Sequence, residues 1–266
     1  MKPFAIAGIQ MKVSAVASNV EMMKLKIDIT MNLYPWIEMI MFSELCAYGP
    51  LTHTAQPIPN NFEAEMQAKA KEYGIWLLPG SIFEKSDDKI YNTATVINPK
   101  GEIVTRYRKM FPFYPYETGV TPGEHYCVFD VPNVARFGVS ICYDMWFPET
   151  IRTLATMGAE VIMHPIVCGP DGRVLHQSEG TEEIIPLELN IERARRSREL
   201  GILRLGQPLK SFRDHLKSSH FGIYQPNLET PYLDSLGPLI KPSRLDKITA
   251  LKIKENELEQ KVSTIK

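Results

Sequence analysis

Three side chains in this sequence have types and settings suited to covalent chemistry at a polarised carbon. A cysteine stands in Gly138-Val-Ser-Ile-Cys142-Tyr-Asp144, a glutamate in Met41-Phe-Ser-Glu44-Leu45 and a lysine in Tyr107-Arg-Lys109-Met110. Each lies at or just beyond the end of an apolar run. A free thiol ionises near pH 8.5, roughly, so attack by Cys142 needs a base to take its proton, and a carboxylate can do so. An ammonium stabilises the negative charge that then builds on the substrate oxygen or nitrogen. Singly, each residue also has an ordinary reading. A cysteine at a strand end is a small apolar filler, a glutamate after an apolar run is a solvated terminus, and a lysine beside arginines is surface. The pattern by itself does not join the three into one site.

The elements that would have to position them follow from hydrophobic periodicity. Phe4–Gln10 reads as a buried strand. Ser18 or Asn19 can cap a helix with apolar spacing at Val20, Met23, Ile27 and Met31, stopped by Pro35. Ile37–Phe42 is a second strand, with Glu44 just past it. Asn60 or Asn61 opens a helix to about Tyr73, ended by Gly74, and Ile75–Phe83 returns as one strand. Ile90–Ile97 and Glu102–Tyr107 flank the turn Asn98-Pro-Lys-Gly101 and read as a hairpin. After a proline-rich aromatic loop come strands at 126–131 and 135–141, with Cys142 at the exit of the second. A helix starts near Pro148, and 161–164 is a strand. Pro170-Asp-Gly172 is a turn, with 173–176 and 184–187 as the strands around it, and Asn190 can cap a helix 191–199. Alternating strands and helices with hairpins indicate an α/β layering.

Four segments, in order, resemble the signatures of the nitrilase superfamily of carbon–nitrogen hydrolases: Phe42-Ser-Glu-Leu-Cys46, Tyr107-Arg-Lys-Met110, Pro115-Tyr-Glu117, and Ser140-Ile-Cys-Tyr-Asp-Met-Trp-Phe-Pro-Glu149. The resemblance runs from Met1 to about Arg213. It implies a four-layer αββα sandwich whose subunits pair as a homodimer or higher homo-oligomer. It also implies that Glu44 is the general base, Lys109 the oxyanion stabiliser and Cys142 the nucleophile. Glu117 would position the substrate and assist water, and the backbone N–H of Tyr143 would be the second oxyanion donor. The expected reaction is hydrolysis of a small linear amide or N-carbamoyl compound through a cysteine thioester, with no cofactor and no metal. Tyr143-Asp144 after the cysteine, where nitrilases carry Trp-Glu, is similar to the amidase and carbamoylase branches. Phe113, Tyr114, Tyr116 and Trp146 are candidates to wall a substrate pocket, although aromatics serve equally as core packing. Two other readings stay open: an inactive shortened homologue acting as an oligomeric or binding protein, and an acyltransferase that uses the same thioester.

The chain departs from the family pattern after His164-Pro165, where about one helix and one strand are missing before the Pro170-Gly172 turn. Residues 1–213 are expected to form the hydrolase domain and 214–266 an extension that reaches a subunit interface or is loosely ordered. The chain has 266 residues, 44% hydrophobic and 23% charged, with net charge -1. That balance supports one large core and lacks the basic face a nucleic-acid binder needs. The arginines at 193, 195, 196 and 198 are flanked by Glu192 and Glu199 and read as a solvated helix face. No run approaches the roughly 18 apolar residues of a membrane span. Cys46, Cys127 and Cys168 are taken as structural, and the irregular cysteine spacing suggests reduced thiols in a cytoplasmic enzyme. His164 is assigned to structure, and His53 and His125 to loops.

Overall fold

Strands and helices follow the apolar periodicity closely. The computed structural model describes residues 3–164, 167–168, 174–176 and 182–199. In chain order it contains β1 (Phe4–Gln10), α1 (Val20–Leu33), β2 (Met39–Phe42), α2 (Asn61–Tyr73), β3 (Trp76–Leu78), β4 (Ser81–Ser86), β5 (Lys89–Ile97) and β6 (Ile103–Arg108). There follow β7 (Cys127–Val131), β8 (Ala135–Val139), α3 (Pro148–Thr156), β9 (Val161–Met163), β10 (Val167–Cys168), β11 (Val174–His176), β12 (Glu183–Leu189) and α4 (Ile191–Glu199). The expected extension, 214–266, and the Pro170-Gly172 turn lie outside the described residues. Residues Phe113–Thr118 belong to a compact unit separate from the remainder of the described chain and are treated by themselves.

A mixed sheet runs β12-β1-β2-β3-β5-β4, with β6 also paired to β5; β1, β2 and β3 are mutually parallel. A second sheet, β7-β8-β9, has β8 and β9 parallel. Strand side chains alternate between faces, so a strand covered on both sides is apolar throughout. In β1, Ala5, Ala7 and Ile9 meet Met23 and Ile27 of α1 and Phe62 and Met66 of α2. Phe4 and Ile6 face the other way, joining Met39, Trp76, Phe129, Phe137 and Val139 in a core between the sheets. On the far side of the second sheet, α3 lies over β8, where a Cβ at Gly138 would come within 3.2 Å of Leu154. The layers are therefore helix, sheet, sheet, helix: an α/β fold with mixed sheets.

Several local expectations need revision. The apolar run 75–83 is two strands, because Pro79 lacks an N–H for the ladder and Gly80 takes φ +75°. Of the two candidate caps of α1, Ser18 Oγ accepts from Val20 N at 3.3 Å, whereas the Asn19 side chain does not cap the helix. Its carboxamide holds the approach loop instead, accepting from Ser14 N at 2.9 Å and donating to Ser14 O and Ala47 O. At α2, Asn60 accepts from Glu63 N at 2.9 Å and Gly74 ends the helix at φ +62°. Strand β11 pairs with β10 rather than with 184–187, and β12 crosses to pair antiparallel with β1. The basic run on α4 is only partly solvated, since Arg195 bonds Glu160 and the carbonyl of Val134. No described helix is long and apolar enough to cross a membrane.

Candidate active site

Parallel strands direct their carboxyl ends to one side, and the crevice there is where open α/β sheets hold ligands. Here the carboxyl ends of β1, β2, β8 and β9 border a single cavity of about 90 Å³, with Leu78 and Gly80 at the exit of β3. That exceeds several-fold the roughly 10–15 Å³ one water requires. Glu44, Cys142, Ser43, Ser81, Ser140, Gln10 and His164 supply its polar lining, and Ile9, Met41, Leu78, Val139, Met163 and Ile185 much of its apolar wall.

Glu44 lies two residues beyond β2, in a turn fixed from three directions. Leu45 takes φ +53°, its N–H donates to Ser81 Oγ at 3.1 Å, and its carbonyl accepts from Gly49 N at 2.9 Å. Gly80 presses against the same turn: a Cβ there would stand 2.1 Å from Ser43 O and 2.9 Å from Cys46 Sγ. Glu44 is partly exposed into the cavity, and its Oε1 accepts from Lys109 Nζ at 2.7 Å and from Asn92 Nδ2 at 2.7 Å. Oε2 accepts no hydrogen bond from the described residues.

Lys109 follows β6 directly and is 1% exposed. Side chains on β6 alternate. Arg106 and Arg108 pair with the buried carboxylates of Glu63 and Glu84, whereas Tyr107 turns into the core between the sheets. Lys109 has the parity of Tyr107. Its own N–H donates to Asn92 O at 2.8 Å, and its carbonyl accepts from Gly123 N at 2.7 Å. Gly123 is glycine for a steric reason, since a Cβ would come 2.1 Å from Arg108 O.

Cys142 opens a 3-10 turn, Cys142–Trp146, three residues past β8. It is exposed and takes φ +43°, a conformation that non-glycine residues seldom adopt. Asp144 holds this elbow. Fully buried, it accepts from Ile141 N at 2.9 Å, Tyr107 Oη at 2.7 Å and Phe111 N at 2.9 Å. One carboxylate thus clasps the cysteine turn to the segment that carries Lys109. Burial raises its pKa, against the pull of its three donors and the nearby Lys109 charge.

The structure therefore brings Glu44, Lys109 and Cys142 to one neighbourhood. Glu44 and Cys142 share the cavity, and Lys109 stands hydrogen-bonded behind Glu44. Tyr143 follows Cys142 in the turn, its ring edge-on to Phe147 at 5.2 Å. Trp146, 78% exposed, is not part of the cavity wall. Glu117 is buried in its own unit, where its Oε2 accepts from Phe113 N at 2.6 Å; Tyr114 and Tyr116 there are exposed. Of the other described thiols, Cys46 is buried, which pushes its pKa up to about 12, and burial also raises that of Cys127; the side chain of Cys168 lies outside the described residues. Burial lowers His164 to about 4, so its imidazole is neutral near pH 7.

Asn92, Asp144, Tyr107 and Gly80 belong to the site's support, and sequence reasoning assigned none of them a role. A signal existed for Asn92, a carboxamide within the continuously buried run Tyr91–Ile97 of β5, because buried amides are retained where they find partners. For Asp144 no local pattern announces that two distant donors, Tyr107 Oη and Phe111 N, join the nearby Ile141 N on it.

The sequence profile described as carbon–nitrogen hydrolase matches residues 4–168. The chain is 35% identical over 178 residues to a formamidase from Helicobacter acinonychis, covering 59% of this chain and 52% of that protein. To an omega-amidase from Pongo abelii it is 33% identical over 120 residues, covering 42% of this chain and 43% of the other. The chain thus spans about half the length of these relatives. The fold is similar to that of Saccharomyces cerevisiae Nit3, a member of branch 10 of the nitrilase superfamily, with TM-score 0.68 at 24% identity over 76% of this chain and 95% of the other.

Proposed function

This chain belongs to the carbon–nitrogen hydrolase family, and from that premise we propose that it hydrolyses the C–N bond of a small linear amide or N-carbamoyl compound through a thioester on Cys142. The observation that supports this reading is that Glu44, bonded from behind by Lys109 Nζ at 2.7 Å, lines the same cavity as Cys142.

In the first half-reaction, Cys142 Sγ bonds to the substrate carbon as its proton passes to Glu44. Negative charge gathers on the substrate oxygen, where the Lys109 ammonium and the N–H of Tyr143 would stabilise it. Glu44 then gives its proton to the nitrogen, the C–N bond breaks, and ammonia or an amine departs, leaving the thioester. In the second half-reaction, water adds to the thioester carbon and Glu44 accepts its proton, with Glu117 assigned to aid that attack. The C–S bond breaks, the sulfur recovers a proton, and a carboxylic acid is released from an amide, or, from an N-carbamoyl compound, a carbamic acid that falls to carbon dioxide and ammonia. The reading extends to an enzyme with reduced thiols, a cytoplasmic setting and a homo-oligomeric assembly.

The test is intact-protein mass spectrometry during turnover of a panel from formamide to butyramide and N-carbamoyl amines, combined with ammonia release. A transient acyl mass on the Cys142 peptide, with ammonia release lost in Cys142→Ala, is expected. Ammonia release that survives Cys142→Ala would refute the reading.

A further inference from the structure

We propose that Asn92 is a positioning residue that fixes which oxygen of Glu44 is presented to the cavity. The inference rests on the reading of Glu44 as the proton acceptor.

Asn92 is fully buried on β5, and it touches both of its charged neighbours. Its Nδ2 donates to Glu44 Oε1 at 2.7 Å, and its backbone carbonyl accepts from Lys109 N at 2.8 Å. A carboxylate only accepts hydrogen bonds, so the carboxamide must turn its NH2 toward Glu44. Lys109 Nζ donates to the same Oε1 at 2.7 Å. Two donors therefore converge on one oxygen, while Oε2 takes no bond from the described residues and Glu44 lines the cavity beside Cys142.

This asymmetry has a chemical result. When Glu44 gains the proton from the thiol, a proton on Oε1 would collide with two N–H donors. The acid form is thereby confined to O–H on Oε2, the oxygen from which the proton must reach the leaving nitrogen. Lysine alone, on its flexible four-carbon stem, defines the carboxyl plane poorly. A rigid amide fixed by the strand ladder sets it, and it does so without adding a charge or a titrating group. Among the described residues, the titratable groups that face this neighbourhood include Lys109, bonded to Glu44, and Cys142 and His164, which line the same cavity.

Asn92→Leu removes the donor at similar size, and Asn92→Asp keeps the shape but sets an acceptor against Oε1. Loss of a hydrogen bond to the charged form moves a carboxyl pKa upward, and a second carboxylate moves it further. The acid limb of the kcat/KM profile is expected to move upward in Asn92→Leu and further in Asn92→Asp. A fall in kcat of about tenfold to a hundredfold at neutral pH, with KM little changed, should accompany it. A residue that merely fills β5 would lower the melting temperature and leave the limb in place. The second readout does not need turnover: carbon-13 titration of the Glu44 carboxyl in a Cys142→Ala background, its signal assigned by loss in Glu44→Gln, with and without Asn92→Asp.

An upward shift in that titration supports the proposal. An unmoved Glu44 titration, with an unmoved acid limb, overturns it. If Glu44→Gln retains full hydrolysis, the reading of Glu44 as base has failed instead, and the titration still reports whether Asn92 governs its carboxyl.

Discussion

A side chain held at φ +43° is strained by roughly 1–2 kcal/mol relative to the right-handed region, so the elbow spends stability to project the Cys142 sulfur outward. Exposure and an open cavity make that thiol the accessible one among the three described thiols, while Cys46 and Cys127 sit in apolar packing that opposes ionisation. Brief treatment with iodoacetamide at pH 7.5 should modify Cys142 well before Cys46 or Cys127, as read by peptide mass spectrometry; equal rates at Cys46 would contradict this burial. His164 gives a second prediction at this scale. Its folded pKa of about 4 lies below its ordinary 6.5, so the unfolded chain binds more protons between those values. Stability should therefore be intact above pH 6.5 and decline as pH falls from 6.5 toward 4. Because His164 is only partly buried, the decline should be about 1–2 kcal/mol. Thermal melts across that range should show it, and His164→Gln should flatten this part of the curve. Single residues were legible in the sequence where type and strand position coincided, as for Glu44 and Cys142. Asp144 was not, because its partners lie up to 37 residues away, and the buried amide of Asn92 could be noticed but not matched to a partner 48 residues away.

Two short elements carry the positioning of those residues. The break between β3 and β4 brings Gly80 against the turn that holds Glu44, with no space for a methyl group. Gly80→Ala is therefore expected to destabilise by more than about 1 kcal/mol. If the proposed mechanism holds, it should also lower kcat/KM by at least about tenfold, because Ser43 must move and Glu44 with it. Retained activity with an unchanged melt would count against so close a fit. The Asp144 clasp can be dissected in the same way. Asp144→Ala strands three donors, each worth about 1–3 kcal/mol if left buried and unsatisfied. Tyr107→Phe removes the bond to Asp144 and the longer one accepted from Met110 N, and should cost less, about 1–2 kcal/mol. Denaturant unfolding of the two variants should separate in that order. Helix boundaries such as Asn60 and Gly74 were readable because cap chemistry is local. The Pro79-Gly80 break was hidden inside an apolar run, and the pairing of β12 with β1 joins residues too distant for any local signal.

At the scale of the whole molecule, the core between the sheets is what places the groups of the site opposite one another. Phe137 is fully buried there, its ring 5.7 Å from Phe4 and 5.5 Å from Phe129. Phe137→Ala should cost about 3–5 kcal/mol by cavity formation, measured by denaturant unfolding; a loss below about 1 kcal/mol would show that the layers close over the gap. The layered architecture could be anticipated because both faces of β1 are apolar, which requires cover on each side. Glu44 and Lys109 hang from one sheet, and the Cys142 sulfur from the other. Catalytic competence under the proposed mechanism is therefore a gauge of how the two sheets are seated, and a slip of about 1 Å would cost on the order of a hundredfold in rate. Warming, pressure or mild urea should accordingly abolish the proposed hydrolysis while the helices and strands still give a native circular dichroism spectrum.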